Sequence, residues 1–375
     1  MKQLFTAIFL CLAILLAPGR QVFAAGEADL YAQAEEQLAQ SGIEELIPLI
    51  PEGGEAVAED SALRRGDLSG WSLQSTLSWL WEVVWEEISA PFRLLGTLCG
   101  LLLLSSLIAA FSNGKGQGAF TTASTLCVSA ALVSAVVPLI RKVSETIEAL
   151  THFMLSFIPV FSGVIAVSGR PASAAAYQTV TFGAAQLFAQ LASSLILPLL
   201  GIFLALCTVG SVTDGVDVKA VAQGAKSLSM WVLGLCLTVF VALLTLQSLT
   251  AGAADTVSTR AVKFVISSAI PVVGGALSEA YGSLSGCLGL VKSAVGVFGV
   301  IVMAAVFVPI LAQVGMSMLA CGIAAAVGEL LGENRAAGVI RSVSSALSVL
   351  GGLILCYGMM ILSSSAILLW MGTPG

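Results

Sequence analysis

From residue 94 to the C-terminus, charged residues are so widely spaced that the chain reads as a series of uncharged runs. They cover residues 94–114, 116–140, 149–169, 171–213, 227–254, 293–328 and 342–375. About 20 consecutive apolar residues in a helix cross the roughly 30 Å hydrocarbon core of a bilayer, so each run can hold one transmembrane helix. The run 171–213 is 43 residues long, about 65 Å as a single helix. Its span is placed near 186–210, interrupted by Pro198 and Gly201, with the rest in the interface or folded back. The run 293–328 is also long for one span, and Pro309 and Gly315 are positions where it can kink. Residues 264–291 are ambiguous, because Glu279 divides them into stretches of 15 and 12 residues, each short of a crossing. The pattern therefore predicts an all-α, polytopic integral membrane bundle over residues 92–375, with about seven spans and eight as the alternative.

The N-terminal part reads differently. Lys2 precedes a largely apolar run from Leu4 to Ala17, which Pro18 and Gly19 end, and Val22-Phe23-Ala24 places small residues at a cleavage site. That is the form of a secretory signal peptide over residues 1–24, with an uncleaved anchor as the alternative. Residues 25–70 form a short acidic arm that the leader exports. It is too polar to bury a large core and reads as a small helical arm or one ordered by a partner. Over residues 71–91, Leu73, Leu77, Leu80, Trp81, Val84 and Ile88 share one helical face, opposite Ser75, Glu82 and Glu86. This predicts an amphipathic, Trp-rich interfacial helix, or a helix that docks a partner.

Composition agrees. The chain is 57% hydrophobic and 10% charged, with a mean hydropathy of +0.99, against roughly 25% charged residues in soluble domains. A soluble enzyme and a disordered chain are excluded on that ground. The net charge is −6. Residues 25–91 carry 14 acids against Arg64 and Arg65, so that segment alone is −12 and the remainder is net positive. An acidic segment repels phosphates, which argues against nucleic-acid binding. Loop charge does not orient the bundle. Seven spans after an exported arm put Lys115, Arg170, Arg260, Lys263 and Lys292 inside, against Arg141, Lys142, Lys219, Lys226, Arg335 and Arg341 outside.

Little in the chain points to chemistry. There is no phosphate-binding glycine loop, and the single histidine, His152, rules out a multi-histidine metal site within this chain. No CxxC pair occurs among the eight cysteines, which read as small buried hydrophobes. The chain reads as a non-enzyme with no catalytic residues, no cofactor and no metal. What remains is charge beside apolar runs. Asp214-Gly-Val-Asp-Val-Lys219-Ala-Val and Asp255-Thr-Val-Ser-Thr-Arg260-Ala-Val share one pattern 41 residues apart. Each follows a span, so the pair is compatible with an inverted repeat as in many transporters, or with chance similarity among small residues. Residues 251–293 bring Asp255, Arg260, Lys263 and Glu279 together with Pro271, Gly274 and Gly275. Ionisable residues are costly at membrane depth, and Pro and Gly suit a break and a close backbone approach. The segment is expected to form a functional broken element, with a solvated loop and tight turn as the alternative.

The stretch from Leu243 to Val297 resembles the stage III sporulation protein AE family of endospore-forming bacteria. The resemblance is carried by Gln247, Asp255, Arg260, Lys263-Phe264, Ile270-Pro271-Val272-Val273-Gly274-Gly275 and Lys292-Ser293-Ala294-Val295-Gly296. The leader, acidic arm and serial spans match that family's organisation less specifically. The resemblance implies action in sporulation after engulfment, as a subunit of a secretion-like or feeding channel complex linking mother cell and forespore. It implies other proteins of the same operon as partners, including an ATPase and ring-forming subunits, and a place in the mother-cell membrane around the forespore. From the residues alone, a secondary transporter for a small solute and a non-transporting membrane scaffold are the rivals.

Overall fold

A computed structural model describes residues 50, 85, 87, 89–111, 117–210, 218–269 and 274–370. The helices are α1 (Ser89–Phe111), α2 (Gln117–Val167), α3 (Pro171–Leu191), α4 (Leu197–Gly210), α5 (Val218–Ala269), α6 (Gly274–Leu330) and α7 (Asn334–Trp370). A five-residue π-turn, Ala192–Ile196, joins α3 to α4. There is no strand among the described residues. Helices suit a bilayer, because a helix satisfies its backbone hydrogen bonds within one segment. Among the described residues, six helical segments are long and apolar enough to cross a membrane: Ser89–Phe111, Phe120–Val167, Pro171–Cys207, Gln223–Ala261, Phe298–Leu330 and Asn334–Ser364.

Among the described residues, six such segments stand where charge spacing predicts seven runs. The runs 116–140 and 149–169 are not two crossings joined by a loop. They belong to one 51-residue helix, α2. The intervening residues keep the helical period, with Val143, Ile147, Leu150 and Met154 all buried at spacings that share one face. Arg141, Lys142, Glu145, Glu148 and His152 lie on the opposite, exposed face. Charge ends an uncharged run without ending a helix.

The run 171–213 does not fold back. It continues as helix from Pro171 to Gly210 through the π-turn. Pro198 has no N–H for the Ser194 carbonyl and its ring crowds that turn. The π-turn immediately before it shifts the hydrogen-bond register and keeps the helix running. The ambiguous stretch 264–291 is helical up to Ala269 and again from Gly274; the positions between lie outside the described residues. The expected leader, almost all of the acidic arm and most of the interfacial helix also lie outside them. Ile50, from the arm, is buried against the hydrophobic core.

Two turns have the same construction. Gly169 has φ 86° and Gly332 has φ 81°. Gly169 N–H donates to the Ala166 carbonyl at 3.1 Å and Arg170 N–H to Ile165 at 3.3 Å. At the other turn, Gly332 N–H donates to Glu329 at 3.1 Å and Glu333 N–H to Gly328 at 2.8 Å. This paired closure of a helix C-terminus requires a left-handed residue, which glycine adopts without steric cost. The turns fold α2 onto α3 and α6 onto α7. The α6–α7 interface is the most extensive; α1 lies against α6 and α2, and α5 against α7 and α3.

Aromatic rings fill the centre. Phe157 stacks on Phe153 and Phe161, with ring centroids 5.7 and 5.4 Å apart, and Phe188 stacks on Tyr357 at 5.0 Å. Glycines let other helices approach these rings. Gly299 of α6 faces the ring of Phe157, and Gly358 of α7 faces that of Phe307. Two hydroxyl pairs also tie the bundle, Thr151 with Tyr357 at 2.7 Å and Thr181 with Ser364 at 2.7 Å.

Candidate functional site

The α2–α3 turn leaves α3 with an unusual start. Its N-cap position is Arg170, which makes no side-chain cap hydrogen bond, and Pro171 follows in the first turn. Arg cannot accept a hydrogen bond, and the N-terminal N–H groups of a helix need acceptors. Asp255, from the far part of α5, supplies them. Ala172 N–H donates to Asp255 Oδ1 at 2.9 Å, and Ser173 N–H donates to Asp255 Oδ2 at 2.9 Å. These are the second and third helical positions, the groups that a capping side chain normally satisfies. The carboxylate is 3% exposed. It meets the positive end of the α3 dipole, where an anion is stabilised.

Two cations border this carboxylate. Lys292 of α6 is 2% exposed and lies before the apolar segment Phe298–Leu330 begins. Burial pushes its ammonium pKa down to about 8; the Arg170 charge lowers it further, and the Asp255 charge opposes both. Four elements thus converge: the α2–α3 turn, the N-terminus of α3, the C-terminal part of α5 and α6. The arrangement is a buried electrostatic joint, with one carboxylate shared between a helix N-terminus and nearby cations.

Arg260 is on α5, exposed, while Asp255 is turned inward. Lys263 is on α5, and Gly274, Gly275 and Glu279 are on α6, with side chains outside the described residues. Pro271 and Asp214 lie outside them altogether. Lys219 is in the first turn of α5. Lys219 and Arg260 sit toward opposite ends of this one helix, about 60 Å apart.

Sequence reasoning placed Arg170 and Lys292 in loops and missed the N-terminus of α3. One signal was present. Gly169-Arg170-Pro171 reads as a helix stop followed by a helix start, yet no Ser, Thr, Asp or Asn stands where a cap belongs. A helix start without its own cap calls for a distant acceptor.

Comparison with known proteins gives a family for the whole bundle. The sequence profile described as Stage III sporulation protein AE (spore_III_AE) matches residues 58–372. Stage III sporulation protein AE of Bacillus subtilis (strain 168) is 27% identical over 318 residues, covering 78% of this chain and 79% of that protein. No solved structure matches the chain. With the profile covering everything from the end of the acidic arm to the last helix, this multi-pass membrane protein belongs to the stage III sporulation protein AE family.

Proposed function

We propose that the protein is an integral subunit of a channel or secretion-like complex that links mother cell and forespore after engulfment. In this reading it resides in the mother-cell membrane around the forespore. Its leader is removed after Ala24, and the acidic arm is exported to meet the ring-forming proteins of the same operon. An ATPase of that operon acts with the bundle, which carries no nucleotide-binding glycine loop of its own. The reading is carried by the family match over residues 58–372, which takes in all the described helices.

Purification of the full-length protein from sporulating cells in mild detergent tests this. The expected result is co-purification of the operon's ATPase and ring-forming subunits. A transporter acting alone would purify without them and couple solute or proton movement in vesicles. That outcome would overturn the proposal.

A further inference from the structure

We propose that α1 and the first half of α2 stand outside the bilayer and pair there with the same helices of a second copy of this chain. The inference goes beyond the channel reading and does not rest on it. It comes from comparing levels along the bundle, with α7 as the ruler. At one level Tyr357 shares a 2.7 Å hydrogen bond with Thr151 of α2 and stacks on Phe188 of α3. Beside it, Cys356 Sγ donates to the Leu233 carbonyl of α5 at 3.5 Å. Further back along α7, Ala337 faces Gly328 of α6, which also faces Leu102 of α1. Leu102 therefore stands about 30 Å from the Tyr357 level. In the other direction Thr181 of α3 bonds Ser364. Beyond that, Asp255 holds Ala172 and Ser173, about 24 Å past Phe188.

From the Tyr357 level to Asp255, five helices run without a charged residue, over 153–169, 171–188, 233–254, 293–308 and 357–370. The longest of these stretches is about 32 Å, close to the thickness of a hydrocarbon core. Leu235, Val239 and Leu249 are exposed along it. Arg170, Asp255 and Lys292 close this layer at one end, and Glu148, His152 and Lys226 close it at the other. The charged band of α2 thus lies at the edge of the layer, and α1 lies beyond that edge.

The level of α1 does not suit lipid. Arg341 and Glu329 pair at 2.7 Å, with side chains 64% and 40% exposed. Glu329 adjoins Gly328, and Arg341 is about one turn from Ala337. A bilayer laid over α1 would hold this exposed pair near its midplane, where charge is costly.

Outside lipid, the exposed Leu103, Leu104, Leu107, Ile108 and Phe111 of α1 form an apolar face that calls for a protein cover. Two copies in one bilayer share an axis along its normal, so equal levels meet and each contact occurs twice. Gly96 and Gly100 have nothing within 4 Å of an added Cβ. With Leu103 and Leu107 they form one helical stripe that admits a second helix closely. At the bilayer end, Arg141, Glu145 and Glu148 are exposed on α2. Both signs lie within about 10 Å of helix, so this band can pair with its own copy.

Nitroxide labels test the level and the cover together. The purified full-length protein, with its native cysteines replaced, would carry Leu104→Cys or Leu107→Cys on α1, or Leu235→Cys or Val239→Cys on α5, in phosphatidylcholine vesicles. Two positions per face guard against one variant failing to fold. The relaxing probes are oxygen, which concentrates in hydrocarbon, and a water-soluble nickel chelate. The α5 labels should be relaxed by oxygen and not by the chelate. The α1 labels should be protected from both, and should show dipolar broadening between copies that is lost on dilution with unlabelled protein. Equal oxygen relaxation on α1 and α5 would overturn the proposal by placing α1 in lipid. Chelate access on α1 would overturn it by showing the face bare. Protection without broadening would overturn it by assigning the cover to another segment of the same chain. None of these readouts involves the operon's proteins, so the channel reading fails separately, in the co-purification.

Discussion

Asp255 shows how one side chain holds three parts of the chain together. Its two oxygens take the Ala172 and Ser173 N–H groups, and hydrogen bonds to a charged group contribute roughly 1.5–3 kcal/mol each. Asp255→Ala leaves the buried Ser173 N–H and the half-buried Ala172 N–H without that acceptor and removes the charge that favours protonated Lys292. We expect a loss of roughly 3 kcal/mol or more, read as a lower thermal midpoint in detergent and faster protease cleavage at the α2–α3 turn. Asp255→Asn should fall between the two, because its amide offers one acceptor oxygen rather than two. An unchanged midpoint for Asp255→Ala would mean the carboxylate is not what caps α3. The importance of Asp255 was legible in the sequence, since an acid stands out among apolar residues. Its partner was not, because the partner is backbone, and backbone N–H groups leave no mark on a sequence.

At the scale of elements, helical character was legible throughout and helix ends were not. The wide spacing of charge marked the apolar runs correctly, and Gly169 and Gly332 end helices where a left-handed residue closes them. The error lay in α2. Four charges within one run of residues looked like a loop, whereas Val143, Ile147, Leu150 and Met154 carry the buried stripe straight through it. Only the phase of the apolar positions separates those readings, and counting charge discards phase. Close helix contact was equally hidden. A Cβ at Gly299 would run into the Phe157 ring, which is stacked between Phe153 and Phe161 and has no room to turn. Gly299→Ala should therefore cost about 1–3 kcal/mol, the usual range for overpacking. Gly315→Ala, also in α6 but with nothing within 4 Å of the added carbon, should be neutral or slightly stabilising. Thermal melts of the two variants in the same detergent check the contrast. Equal effects would contradict the α2–α6 packing.

For the whole molecule, the sequence conveyed a membrane bundle and its family, while the continuity of α2 and the buried joint needed the structure. The two are connected. With α2 continuous, its C-terminal turn brings α3 to Asp255, and with α5 and α6 both extended, Asp255 and Lys292 reach that turn. Charges that looked like loop residues thus become the ties between helices. The central claim is that this bundle serves sporulation after engulfment, and one measurement addresses it most directly. A late forespore-specific reporter would be followed in the host lacking this gene, with and without the wild-type chain restored. The account predicts normal engulfment, loss of late reporter activity in the deletion strain, and recovery on complementation. Full late reporter activity in the deletion strain would contradict it.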